Sequence, residues 1–175
     1  MRGAKILGLL ILVASLLSAG GCGQTEQASQ QSNPSAEETA DSIAPTQDIL
    51  YENSDVGIKV YQLPGWEVGK EGKSDTFNVT FHRDNLKAII TLVSSDLSLE
   101  EIKQTLVTGA GPVEIIEETD TYLALQSKRK EPVRTDIYIE QLEEQTVIYT
   151  FMTPAEAYTE NQPYMESLKQ NVAVN

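Results

Sequence analysis

Residues 77–93 read FNVTFHRDNLKAIITLV, and this stretch decides the fold class. Phe77, Val79 and Phe81 alternate with Asn78, Thr80 and His82, the period of two expected of a strand with one buried face. Arg83-Asp84-Asn85 are turn residues. The run from Leu86 to Val93 is apolar on both of its faces, which predicts a central strand covered on both sides. The two runs make an antiparallel hairpin.

The flanking sequence extends the same pattern. Upstream, Gly57 to Leu63 reads GIKVYQL, with Ile58 and Val60 on one face and Lys59 and Tyr61 on the other. Pro64-Gly65 ends that run, and Trp66 to Val68 continues as a second short strand. Downstream, Ser98 stands three residues before Glu101, the capping-box arrangement that opens a helix. Leu99, Ile102, Leu106 and Ala110 then share one helical face, and Gly109 and Gly111-Pro112 stop it. Four further strand-like runs follow: Val113 to Glu117, Tyr122 to Ser127, Thr135 to Gln141 and Gln145 to Met152. Pro163 suits the first turn of a closing helix whose apolar stripe is Tyr164, Met165, Leu168 and Val172. Strands joined by short turns, with two helices inserted, predict an α+β fold, an antiparallel β-sheet with helices packed on it.

The chain has 175 residues. Roughly 128 remain once the first 47 are set aside, and a domain of that size buries about two thirds of its unfolded surface without needing disulfides or a metal. Cys22 is the only cysteine, so an internal disulfide is excluded. The formal charge is −13, which excludes nonspecific nucleic-acid binding and disfavours electrostatic adhesion to anionic lipid.

The amino terminus has its own signature. Arg2 and Lys5 precede ILGLLILVASLLSA at residues 6–19, an uncharged apolar run of 14 residues. Such a run is shorter than the ~20 residues of a membrane-spanning helix and fits a signal-peptide core. Ala19-Gly20-Gly21-Cys22 follows and resembles the lipobox of bacterial lipoprotein precursors, with Ala19 where a leucine is usual. That resemblance implies a signal peptide over 1–21, a diacylated Cys22 as the mature end, and anchoring at the extracytoplasmic face of the cell membrane. Two acyl chains suffice for stable anchoring. Loss of Arg2 and Lys5 with the signal peptide takes the charge to about −15. Residues 22–48 are rich in Gln, Ser, Glu, Thr, Ala and Pro, with Ile43 almost the only large apolar residue. This composition predicts a disordered linker reaching roughly 25–30 Å, which leaves a single domain over 49–175.

The order of elements and the stretch DVGIKVYQLPGWEV, residues 55–68, resemble the PsbP-like fold of extrinsic photosystem II proteins, through Leu63-Pro64-Gly65-Trp66. The chain is similar also to small extracytoplasmic lipoproteins that carry this domain. The resemblance implies an α/β/α sandwich and a noncatalytic, assembly-type role. It carries over no metal ligand.

Several residues could bear chemistry. His82 is the only histidine and sits at a strand end, where it is either a solvated residue or a general base in need of partners. No nucleophile motif accompanies it. One histidine and a lipidated cysteine cannot build a usual zinc shell. Glu52-Asn53-Ser54-Asp55-Val56-Gly57 offers oxygen ligands without EF-hand spacing. Glu117-Glu118-Thr119-Asp120 and Glu143-Glu144 fall in expected turns. Lys128-Arg129-Lys130, with Arg134, is the one cationic concentration. It reads either as a partner-binding patch or as a charged turn guarding a sheet edge. Trp66, with Tyr51 and Tyr61, reads either as a recognition surface or as core.

Trp66, Lys128, Arg129 and Lys130 are thus the candidate binding residues and Cys22 the lipidation site. No catalytic residue, metal or cofactor is expected. The leading functional class is a membrane-anchored binding or assembly module with an envelope protein partner. A small-ligand or calcium-binding lipoprotein and a carboxylate-based hydrolase are the alternatives.

Overall fold

A computed structural model describes residues 48–73 and 76–175. The expected signal peptide, Cys22 and nearly all of the expected linker lie outside the described residues. Asp48 belongs to the domain, because its carbonyl accepts a hydrogen bond from the Gln62 amide at 2.8 Å.

Among the described residues, ten strands and two helices follow one another. β1 (Ile49–Asn53) and β2 (Ile58–Tyr61) form a hairpin, and β3 (Glu67–Lys73), β4 (Phe77–Arg83) and β5 (Leu86–Ser94) form a meander. Helix α1 (Leu99–Ala110) leads to β6 (Val113–Glu118), β7 (Tyr122–Ser127), β8 (Val133–Gln141) and β9 (Gln145–Pro154). A 3-10 turn at Ala155–Ala157, helix α2 (Tyr158–Gln170) and β10 (Val172–Val174) complete the domain. The main sheet has seven antiparallel strands in the order β3-β4-β5-β9-β8-β7-β6. β5 and β9 pair although α1 and three strands separate them in sequence. A second sheet, β1-β2-β10, has three strands.

The hairpin at 77–93 forms as its alternation predicts. Phe77, Val79 and Phe81 of β4 and Leu86, Ala88, Ile90 and Leu92 of β5 are buried on one face. Asp84 takes a φ of 50° in the two-residue turn, a left-handed conformation that aspartate tolerates better than most residues. The opposite face of β5, with Lys87, Ile89, Thr91 and Val93, is half-buried rather than sealed.

Two cores result, one on each face of the main sheet. Val147, Tyr149 and Phe151 join β4 and β5 on the first face, closed over by Ile58 and Val60 from the small sheet and by Met165 and Leu168 from α2. On the second face, Leu123, Leu125, Ile137, Ile139 and Ile148 pack with Ile102 of α1. Helices on both faces of an antiparallel sheet are the α+β arrangement expected from the sequence. The capping box is present: Ser98 Oγ accepts from the Glu101 amide, and Glu101 Oε2 accepts from the Ser98 amide at 3.0 Å.

Three expectations need correction. α2 begins at Tyr158, so Pro163 stands inside the helix rather than in its first turn. The buried Asn161 side chain donates to Thr153 Oγ1 at 2.6 Å and Asn85 Oδ1 at 2.9 Å, which pins the early helix to the sheet. Val172 is a strand residue paired with Val60, not a helical one, and Tyr164 is exposed beneath the Arg83 guanidinium. β1, β10 and the small sheet they build were not expected from the periodicity.

Candidate functional site

The hairpin between β7 and β8 presents Lys128, Arg129 and Lys130 to solvent. Its backbone is held at three points. The Lys128 amide donates to the Pro112 carbonyl at 3.1 Å, the Val133 amide to Ser127 Oγ at 2.9 Å, and the Ala155 amide to the Pro132 carbonyl at 2.9 Å. Among the described residues, none of the three cations has a carboxylate within ion-pairing distance.

Arg134 does not belong to this group. Strand alternation turns Val133 and Arg134 to opposite faces of the sheet, and Arg134 enters a buried polar cluster on the α2 side. Its Nε and Nη2 donate to the two oxygens of Asp136 at 3.0 and 3.1 Å. Asp136 has no solvent exposure and also accepts from the hydroxyls of Tyr122 and Tyr158. The Arg134 guanidinium lies 4.5 Å from the Tyr158 ring centroid. Burial alone would lower the Arg134 pKa, and the hydrogen bonds and charge of Asp136 outweigh it, so the guanidinium is held more firmly charged. Burial, then the bond to Asp136, pushes the Tyr122 phenol up. The bonds from Arg134, Tyr122 and Tyr158 converge on Asp136, so the cluster braces β7 and β8 against α2.

Beside the cationic turn, on the α1 side, lies a groove of about 230 Å³. Leu106 and Ala110 of α1, Val113 of β6, and Leu125, Ile137 and Met152 of the sheet line it, and Arg129 stands at its rim. The groove exists because α1 covers the sheet only in part. Ile102 is buried there, whereas Leu106 is half-buried and Ala110 exposed. Arg129 also borders a hollow on the other side of the turn, with Lys130, Glu131, Pro132 and Glu156.

The remaining candidates separate. Trp66 is 4% exposed and packs in the first core, so its role as a binding residue gives way to packing. Gly65, at a φ of 77°, makes the turn that sends it inward, and Arg83 donates to the Pro64 carbonyl to hold that turn. Tyr51 and Tyr61 are half-buried, and Tyr51 meets Phe81 edge to face at 6.0 Å. His82 is exposed on β4 against Gly69. In the acidic segment, Glu52 pairs with Lys59 at 3.1 Å and Asp55 with Lys73 at 3.6 Å, so their carboxylates do not converge. Glu118 pairs with Lys103 at 2.8 Å, and that bond, against the opposing effect of burial, raises the Lys103 pKa. Among the described residues no three His, Cys, Asp or Glu side chains are placed to hold a metal ion. A hollow of about 810 Å³ opens between the 52–59 turn and the ends of β4, β5 and β9.

Sequence reasoning placed the cationic turn but missed the groove and the Asp136 cluster. The groove lies between α1 and the consecutive strands β6, β7, β8 and β9, and only the packing of the helix on the sheet brings its walls together. Asp136 carried a signal: a lone acid amid the β-formers of residues 135–139 asks for a buried partner.

No family model matches the chain, and no curated protein sequence does. Solved structures are similar to it at low identity. Cyanobacterial PsbP (CyanoP) from Synechocystis sp. PCC 6803 is 12% identical over 71% of this chain and 91% of that one, with a TM-score of 0.45. The Saccharomyces cerevisiae Ran-binding protein Mog1p is 10% identical over 74% of this chain and 96% of that one, with a TM-score of 0.48. A Bacteroides thetaiotaomicron VPI-5482 protein is 10% identical over 68% of this chain, with a TM-score of 0.40. The chain spans 45% of that protein's length.

Proposed function

We propose that this chain is a lipid-anchored extracytoplasmic lipoprotein whose domain is a noncatalytic binding or assembly module for an envelope protein partner. The observation that carries the binding part is the turn, held at three points, that presents three cations without carboxylate partners among the described residues, on a protein of net charge −13. A turn charged only for solubility would serve equally well with its cations paired. The lipid part rests on the short apolar segment and on Ala19-Gly20-Gly21-Cys22. A tether raises the local concentration of the domain near other envelope proteins, so a modest interface suffices. Carboxylate catalysis would need two acids held close in a partly buried cleft. Glu52, Asp55 and Glu118 each face a lysine instead.

The test has two arms. Cys22→Ser moves the protein from the membrane to the soluble fraction, and the intact mass of the wild-type membrane form carries an added diacylglycerol. A photo-reactive residue at Lys130 cross-links one defined envelope protein, and the same residue at Glu143, on another turn, does not. An unmodified amino terminus ends the lipoprotein reading, and equal labelling from both positions ends the binding reading.

The 810 Å³ hollow supports a second reading, a small-ligand lipoprotein, because its size lies within the roughly 300–1,000 Å³ of ligand sites. A metabolite panel that raises the melting temperature through that hollow, with an Asn53→Ala variant unresponsive, would establish it.

A further inference from the structure

We propose that the cationic turn and the adjoining groove form one recognition site for an extended acidic segment of a partner protein, anchored by a single large apolar side chain. This rests on the binding-module reading and specifies the partner's chemistry. Size decides the first part. At about 230 Å³ the groove falls below the roughly 300 Å³ lower end of small-molecule sites, so it holds one inserted side chain rather than a whole ligand. Leu125 and Ile137 are buried at its base, and the half-buried Leu106, Val113 and Met152 form apolar walls for that anchor. Anchors of this kind supply most of the binding energy at protein interfaces.

Charge decides the second part. The chain is acidic, with a formal net charge of −13, so the exposed Lys128, Arg129 and Lys130, which pair with no carboxylate among the described residues, make this a face where an acidic segment gains by approach. Arg129 stands at the groove rim, within reach of a carboxylate flanking the inserted side chain. Glu131 and Glu156 border the hollow on the opposite side of the turn and turn the acidic segment toward the groove. The three backbone anchors of the turn leave little ordering for docking to impose.

The experiment uses the full chain in detergent and a displayed random-peptide library. Enriched peptides share one Leu, Ile, Met, Phe or Trp with Asp or Glu within two residues of it. A synthesised member binds by fluorescence anisotropy, loses about tenfold or more in affinity to a Lys128→Glu, Arg129→Glu, Lys130→Glu variant, and weakens with added salt. Ala110→Trp, an exposed substitution that fills the groove, weakens binding as well, with circular dichroism unchanged. Charge reversal at a surface turn leaves the fold intact, so the result does not depend on the filling variant. Basic peptides, peptides without an apolar residue, or binding that ignores both variants would overturn the site while leaving a binding module in place. Enrichment of nothing would overturn it too, with the Lys130 cross-link deciding separately whether the module reading survives. Binding to anionic phosphatidylglycerol vesicles but to no peptide, through the same cations, would replace the peptide with the membrane surface.

Discussion

Asp136→Ala is the perturbation that most directly tests how the sheet is held. The Asp136 carboxylate has no solvent exposure, takes two hydrogen bonds from Arg134 and is bonded by Tyr122 and Tyr158. Its loss strands a guanidinium whose side chain is 11% exposed, leaving it the Tyr122 hydroxyl at 3.2 Å and the Tyr158 ring. Removing one partner of a buried pair costs about 3–5 kcal/mol, mostly from the uncompensated charge left behind. A domain of this size has a stability of about 5–15 kcal/mol, so the variant gives up a large share of it and still folds unless the parent lies at the bottom of that range. Urea unfolding followed by the fluorescence of Trp66, the only tryptophan and a buried one, measures the loss as a lower midpoint at unchanged slope. Arg134→Ala and the double variant complete a cycle, in which the double variant costs less than the sum of the singles by about 1–3 kcal/mol. Additive effects within about 0.5 kcal/mol would mean that the two residues do not act as a pair, and the account of the cluster would be wrong.

Ser98→Ala removes the cap of α1 and lowers stability by about 1 kcal/mol in the same assay, with Ser98→Asp retaining most of it. Gly65→Ala forces a side chain onto a φ of 77° and against the Arg83 guanidinium, for a loss of about 1–2 kcal/mol from the backbone alone; an unchanged midpoint would contradict the turn. Raising the pH destabilises the fold. Burial, then the bond to Glu71, pushes the Tyr51 phenol up to about 12, and burial raises Tyr122, Tyr138 and Tyr149 as well. These phenols stay neutral in the fold where the unfolded chain ionises them near pH 10. Stability is therefore complete below about pH 10 and falls as the pH climbs toward 12, read from the urea midpoint together with tyrosinate absorbance.

Alternation located β4 and β9, because a strand with one buried face repeats every second residue whatever it packs against, and β5 showed itself as a run apolar on both faces. The α1 start was legible for the same reason: Ser98 and Glu101 satisfy amides of their own turn and need no distant partner. Tertiary structure decided whatever depends on distant segments. Trp66 could be read as core or as surface from the chain, and the first core buries it. Arg134 counted as one more cation beside Lys128 until the β8 register turned it inward to Asp136. The three residues of β10 form a strand only because Val60 offers an edge to Val172, and the periodicity of so short a segment cannot announce that. Lys128, Arg129 and Lys130 could be named from the chain, but the groove beside them could not. Its walls come from α1 and from β6 to β9, strands that pair in chain order, and the gap is set by how far α1 covers them, a contact between helix and sheet that leaves no local pattern in the residues that make it.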